Sequence, residues 1–195
     1  MKKKILLLDV MSTLVYDPFF VELPKAFGMS LQQVMQDKSP TAWEEFEKNE
    51  ITEQQFFSRF FGPERPVDGQ KMKNCMQENY RYLEGIVPLL QELKRRDIPM
   101  YALSNYPHWY KMIEQKLSLS SYLEWKFVSW DTGFRKPDPR AYLHPVEVLG
   151  VSPGDCIFVD DMEKNCQAAL AVGMSAIQFQ GAEHLRAKLV EQGVL

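Results

Sequence analysis

Four short stretches of the chain carry side chains that could act together on one substrate. Asp9 follows Ile5-Leu6-Leu7-Leu8, and Ser104-Asn105 follows Met100 to Leu103. Lys136 stands in Gly133-Phe134-Arg135-Lys136-Pro137-Asp138-Pro139. Asp160-Asp161 follows Cys156 to Val159, with Asn165 one turn later. An isolated carboxylate, a hydroxyl, a lysine and an acidic pair suit a phosphate ester. Facing carboxylates repel, and a divalent cation relieves that repulsion. Carboxylate and backbone carbonyl oxygens are the hard ligands that Mg²⁺ prefers, usually together with phosphate oxygens. A hydroxyl and backbone N–H groups can cradle phosphate. A lysine adds a compact positive charge. An Asp held against phosphorus can attack it and form an aspartyl-phosphate that water then hydrolyses. Each stretch alone has a plainer explanation, as a turn cap, a helix cap or a surface Lys-Pro turn. What the plainer explanations leave out is that all four fall at the ends of expected strands.

The elements that must position these residues are legible from periodicity. Ile5 to Leu8 is a continuous apolar run, the pattern of a strand buried on both faces at the centre of a parallel sheet. Ligands on such sheets bind beyond the carboxyl ends of the strands, where Asp9 lies. Val15 to Phe20 reads as a loop containing Pro18. From there to about Glu84 no strand is expected. Helices are expected after Ser30, after Ser39-Pro40, after Thr52 with Gln55 as a capping box, and after Asp68, making a small bundle of about four. Its aromatic and Met residues read first as bundle core, with the lining of a ligand pocket as the alternative.

From Gly85 onward strands and helices alternate. The pattern predicts helices over Ile86 to Arg96, Pro107 to Leu117, Pro139 to Leu149, Glu163 to Val172 and Glu183 to Gln192. Pro145 should kink or interrupt the third of these. Strands are predicted over Pro99 to Ser104, Phe127 to Trp130, Cys156 to Asp160 and Ala176 to Phe179. This order implies an α/β fold with a doubly wound parallel sheet. All four polar stretches then meet along one edge.

Composition narrows the function classes. With 195 residues and a net charge of −3, the chain has no long basic cluster, so no nucleic-acid partner is expected. Lys2-Lys3-Lys4 reads as the polar lead-in to a buried strand. No apolar run is long enough to span a membrane, and the run at Ile5 is too short for a secretory signal, so a cytoplasmic protein is expected, with an organelle left open. Cys75, Cys156 and Cys166 are scattered, lack zinc-site spacing and read as reduced apolar fillers. His108, His144 and His184 read as structural. Only His108, beside Asn105-Tyr106-Pro107, falls near the polar edge. Monomer and dimer are equally compatible with the sequence.

In order and over the whole chain, the four stretches resemble the motifs of the haloacid dehalogenase-like (HAD) hydrolase superfamily. Asp9-Val10-Met11-Ser12-Thr13-Leu14 is similar to its Asp-x-Asp-Gly-Thr-Leu, Ser104-Asn105 to its second motif, Gly133 to Pro139 to its lysine motif, and Asp160 to Asn165 to its acidic fourth motif. The resemblance implies Asp9 as nucleophile, and Ser12, Ser104, Asn105 and Lys136 around the phosphate, with Lys136 also stabilising charge. It implies Mg²⁺ held by Asp9, the Met11 carbonyl and Asp161, with Asp160 and Asn165 in support. It implies a catalytic core of residues 1–16 and 85–195, and a type-one helical cap over residues 17–84.

Two departures stand out. Met11 occupies the place of the Asp that protonates the leaving group and later activates water. Its thioether can do neither, although its backbone carbonyl remains. Loss of general acid–base help slows catalysis by about 10²–10⁴-fold. Ser12 replaces a Gly, which should restrict the turn. The expectation is therefore a Mg²⁺-dependent phosphatase of a small phosphorylated metabolite. A phospho-ligand-binding protein without turnover, a 2-haloacid dehalogenase and a phosphonate-cleaving enzyme are the other readings.

Overall fold

The computed structural model describes residues 3–195. Five parallel strands form one sheet in the order β3-β2-β1-β4-β5. They are β1 (Ile5–Leu8), β2 (Met100–Ser104), β3 (Glu124–Val128), β4 (Cys156–Asp160) and β5 (Ser175–Gln178). Leu6, Leu7 and Leu8 pair with Met100, Tyr101 and Ala102 on one side and with Ile157, Phe158 and Val159 on the other. β1 is therefore the central strand, and all four of its residues are buried. Of the basic lead-in, Lys2 lies outside the described residues. Lys3 donates to the carbonyls of Arg96 and Asp97, and Lys4 to that of Gly154.

The unbroken apolar run of β1 has two layers to serve. Leu6 and Leu8 pack with Leu89, Leu90 and Leu93 of α6 (Ile86–Arg95), Ile113 of α7 (Tyr110–Leu117) and Leu185 and Leu189 of α11 (Ala182–Glu191). Ile5 and Leu7 face the opposite layer, with Ala141 and Tyr142 of α9 (Pro139–Leu149) and Ala169 of α10 (Glu163–Ala171). Helices thus cover both faces of the sheet, as a doubly wound fold requires.

Between β1 and β2 the chain forms α1 (Glu22–Phe27), α2 (Leu31–Asp37), α3 (Ala42–Glu47), α4 (Glu53–Arg59) and α5 (Gly69–Asn79). The sequence reading expected about four helices there. It passed over α1, a six-residue helix that carries Pro24 in its first turn. The expected box at Thr52 and cap at Asp68 are present, and Ser30 adds a box that was not expected. Ser30 with Gln33 and Thr52 with Gln55 form reciprocal boxes, and Asp68 accepts from the Lys71 N–H. The apolar side chains of these helices join the same cluster as Leu6 and Leu8, through Val10, Met11, Leu14 and Val15.

Several expected boundaries move. β3 ends at Val128, and Ser129 to Thr132 turn into a short helix, α8, where a strand to Trp130 was expected. β3 lies at the sheet edge and exposes Glu124 and Lys126, so its apolar signal is confined to its second half. The helix expected from Pro107 starts at Tyr110. The expected loop from Val15 to Phe20 contains a 3₁₀ turn over Pro18–Phe20, capped by Asp17. α9 continues through Pro145, which is buried.

Candidate active site

The carboxyl edge of the sheet gathers the chemistry-bearing residues. Asp9 directly follows β1, and its backbone N–H donates to the Val159 carbonyl at 2.9 Å, which fixes where its side chain leaves the sheet. Its two oxygens are held separately. Lys136 Nζ donates to Oδ1 at 2.7 Å, and Thr13 Oγ1 donates to Oδ2 at 3.1 Å. Lys136 Nζ also donates to Asp160 Oδ2 at 2.7 Å. Only 2% of Lys136 is exposed, so this is a buried ammonium between two buried carboxylates. Asp160 ends β4 and accepts further bonds from the Met162 N–H and the Asn165 amide.

Asn105 does not leave its side chain free for a ligand. Its Nδ2 donates to the Lys136 carbonyl at 2.9 Å and its Oδ1 accepts from the Lys136 N–H at 2.8 Å. This two-point clasp joins the end of β2 to the lysine loop and aims Lys136 across the edge. Ser104 is 2% exposed, and its Oγ has no hydrogen-bond partner among the described residues. A buried orphan hydroxyl is costly unless something completes it. Ser12 adopts φ +59 in the left-handed region, and its N–H donates to the Val15 carbonyl at 2.7 Å. The turn that normally favours Gly therefore forms with Ser, at roughly 1–2 kcal/mol of backbone strain.

One polar cavity of about 260 Å³ is lined by Asp9, Met11, Ser12, Asn105, Lys136, Asp160, Asp161 and Asn165. Of the expected site residues, Ser104 alone is not among its lining. Electrostatics there are unbalanced. Burial pushes Asp9 up to about 7 against the pull of Lys136, with Asp160 and Asp161 adding repulsion. Burial and then Asp160 also push Asp161 up. Burial works against the Lys136 ammonium, but Asp9 and Asp160 outweigh it and hold its pKa above the usual lysine range. Asp9 and Asp160 share the Lys136 ammonium, and Asp161 adds a third carboxylate on a wall that also carries Lys164; hard oxygen donors of this kind fit a divalent cation.

Sequence reasoning missed four charged contributors to the same cavity, Asp17, Glu47, Arg135 and Lys164. Asp17 accepts from the Phe19 N–H at 2.9 Å, and burial followed by Asp161 and Glu22 pushes it up to about 6. Glu47 accepts from Arg135 Nε at 2.7 Å and from the Trp43 indole. Burial pushes Glu47 up to about 7 against the pull of Arg135. Asp17-Pro18 reads as nothing more than a turn. Glu47 offered a signal, because it stands four residues after Trp43 and so interrupts the apolar stripe of α3.

A second cavity, of about 250 Å³, opens beside the first. Its walls are Phe19, Phe20, Met35, Trp43, Phe60, Met76 and Tyr106, with Lys38 at its polar side. Met11, Asp17, Phe20, Glu47 and Asn105 line both cavities. The aromatic and Met residues of the helical segment therefore divide. Phe46, Phe56 and Met72 are core, Met35 and Trp43 face the chamber, and Phe60 and Met76 are buried in the core and line the chamber as well. His108 lines neither cavity. Its Nε2 lies 3.2 Å from Glu53 and its ring packs on Trp130 and Phe46.

A parallel sheet with an Asp-Lys-acidic-pair cluster on its carboxyl edge and a helical segment over it is the architecture of a HAD-type hydrolase. The profile of the haloacid dehalogenase-like hydrolases matches residues 4–173, and the chain belongs to this family. Flavin mononucleotide hydrolase 1 of the chloroplast of Arabidopsis thaliana is 45% identical over 193 residues, 99% of this chain and 79% of that protein. A sesquiterpene phosphatase of Aspergillus oryzae is 29% identical over 147 residues, 70% of this chain and 71% of its own. A HAD-family enzyme of Bacteroides thetaiotaomicron, solved with magnesium and inorganic phosphate, shares the fold with a TM-score of 0.74. It is 20% identical and covers 94% of this chain and 99% of its own. The chain is a hydrolase, with phosphatases among its relatives. No helix among the described residues is long and apolar enough to cross a membrane.

Proposed function

We propose that this protein is a Mg²⁺-dependent phosphomonoesterase whose substrate carries a flat, largely apolar group, with flavin mononucleotide the first candidate. The observation that carries this reading is the shared wall of the two cavities. A phosphate placed against Asp9 would leave its organic substituent in the aromatic chamber. Trp43, Phe60 and Tyr106 suit the faces of a ring system, and Lys38 suits a ring carbonyl at its edge. The name of the Arabidopsis relative supports the flavin in particular.

In this reading Asp9 attacks phosphorus, the leaving oxygen departs into the chamber, and the aspartyl-phosphate is then hydrolysed. Lys136 neutralises charge on both Asp9 and the phosphate. Ser12 and the Asn105 backbone form the cradle for the phosphate, with Ser104 buried behind the cavity wall. Asp9, the Met11 carbonyl and Asp161 would hold the cation, with Asp160 and Asn165 in support. That cation would offset the carboxylate charge and polarise the phosphoryl oxygens. Residues 17–84 act as a lid on a core of residues 1–16 and 85–195, and closure keeps water from the ester. The Arabidopsis relative is named as a chloroplast protein, which supports an organelle for this chain as readily as the cytoplasm.

The test is phosphate release from flavin mononucleotide and from a panel of phosphorylated metabolites, with and without Mg²⁺. Riboflavin should quench Trp43 fluorescence by entering the chamber. If no phosphate is released from any ester in the presence of Mg²⁺, the reading fails. If the best substrates lack a ring, the chamber is misassigned.

A further inference from the structure

We propose that Asp17 is the acid that protonates the leaving group, in place of the side chain that Met11 does not provide. The inference rests on the phosphatase reading above and adds a residue that this reading lacks. An ester oxygen lies at the junction between phosphate and substituent, so the group that protonates it must border both spaces. Five residues border both cavities, and two of them are acids, Asp17 and Glu47.

Glu47 is committed elsewhere. One of its oxygens accepts from the Trp43 indole and the other from Arg135 Nε at 2.7 Å, and Arg135 also lies 3.4 Å from Glu44. Both Glu47 oxygens are thus taken as acceptors, and turning one toward an ester oxygen would break the tie to Trp43 or Arg135. Asp17 has no such partner. Its Oδ1 accepts from the Phe19 N–H, and among the described residues Oδ2 accepts no hydrogen bond and no cation pairs with it. The groups that face it are the carboxylates of Asp161 and Glu22 and the hydroxyls of Tyr80 and Tyr106, which bond each other at 2.8 Å. Lys38 is the cation on the chamber wall. Burial favours the protonated acid, which is the form that can donate, and Glu22 adds to it. His108, the nearest histidine in sequence to the polar edge, is engaged with Glu53 outside both cavities.

The chemistry closes. As Asp9 forms its bond to phosphorus, the bond to the leaving oxygen breaks and its electron pair stays on that oxygen, which takes the Asp17 proton. The Asp17 carboxylate then takes a proton from the attacking water. The water oxygen bonds to phosphorus, the Asp9–phosphorus bond breaks, and both side chains return to their starting state.

Asp17→Asn isolates this role, because Asn keeps an acceptor for the Phe19 N–H and loses the transferable proton. The measurement is kcat/KM against leaving-group pKa over a series of aryl and alkyl phosphates, flavin mononucleotide included. The parent should show a shallow dependence. Asp17→Asn should lose about 10²–10⁴-fold on alkyl esters and little on activated aryl esters. Adding Met11→Asp to Asp17→Asn should restore the alkyl esters, which mere structural damage would not allow. Mg²⁺-dependent thermal stabilisation should be the same in parent and Asp17→Asn. An equal loss on every ester overturns the proposal, as does loss of the Mg²⁺ response, which would place Asp17 in the cation site. A parent already as steep as the variant also overturns it. A parent inert toward all esters overturns the phosphatase reading and the proposal with it.

Discussion

Lys136 keeps its charge although it is almost fully buried. Burial alone would drive the proton off, and the pairing with Asp9 and Asp160 reverses that tendency. The arrangement is worth more to the site than to the fold. A buried ion pair contributes little net stability, but removing one partner leaves uncompensated buried charge. Lys136→Met should therefore cost about 3–5 kcal/mol in denaturant unfolding and abolish turnover. Asp9→Asn in the same chain should recover part of that stability and none of the activity. If Lys136→Met unfolds like the parent, the three groups are not the coupled cluster that their 2.7 Å contacts describe.

Elements meet at this site through a few polar ties. Arg135 belongs to the lysine loop and reaches α3 at Glu44 and Glu47, while the Ser129 hydroxyl donates to the Glu47 carbonyl. The Trp109 indole, which precedes α7, donates to Glu53 of α4. These ties set how the helical segment sits over Asp9, and the Arg135 tie lies one residue from Lys136. Arg135→Ala leaves Glu47 buried without its guanidinium. It should destabilise by about 1–3 kcal/mol and raise KM more than it lowers kcat. Glu47→Gln added to it should return part of the stability, because a neutral amide needs no cation. Equal KM values in the parent and Arg135→Ala would separate the tie from substrate binding.

Over the whole molecule the buried acids give folding a definite pH dependence. Asp9, Asp17 and Glu47 all titrate higher in the fold, at about 7, about 6 and about 7, than in the unfolded chain. A raised carboxylate pKa means that the fold favours the protonated acid. The stability this contributes is complete below about pH 4 and is lost as pH rises through 6 to 7. Without metal, the melting temperature should fall over that window. Mg²⁺ requires ionised Asp9 and Asp161, so its stabilisation should be small at pH 5 and reach about 2–3 kcal/mol at pH 8 with Mg²⁺ at a hundredfold excess over Kd. Asp161→Ala should remove this response at pH 8. A Mg²⁺ shift that is equal at pH 5 and pH 8, or that survives in Asp161→Ala, would place the cation elsewhere.

What could be read from the sequence was local or strictly periodic. A continuous apolar run ending in Asp9 marks a central parallel strand because both of its faces meet helices, and the same logic located β2, β4 and the residues at their ends. Ser30, Thr52 and Asp68 declared helix starts because a capping side chain reaches only three residues along its own chain. β3 was misplaced because an edge strand exposes half its residues and loses the apolar signal. Tertiary structure alone decided the rest. It turned the Asn105 amide onto the Lys136 backbone, sorted Met35 and Trp43 into a chamber wall and Phe46 and Phe56 into the core, and set Asp17 where two cavities meet. Each of these depends on packing between residues far apart in the chain, and neither periodicity nor capping carries information over that distance.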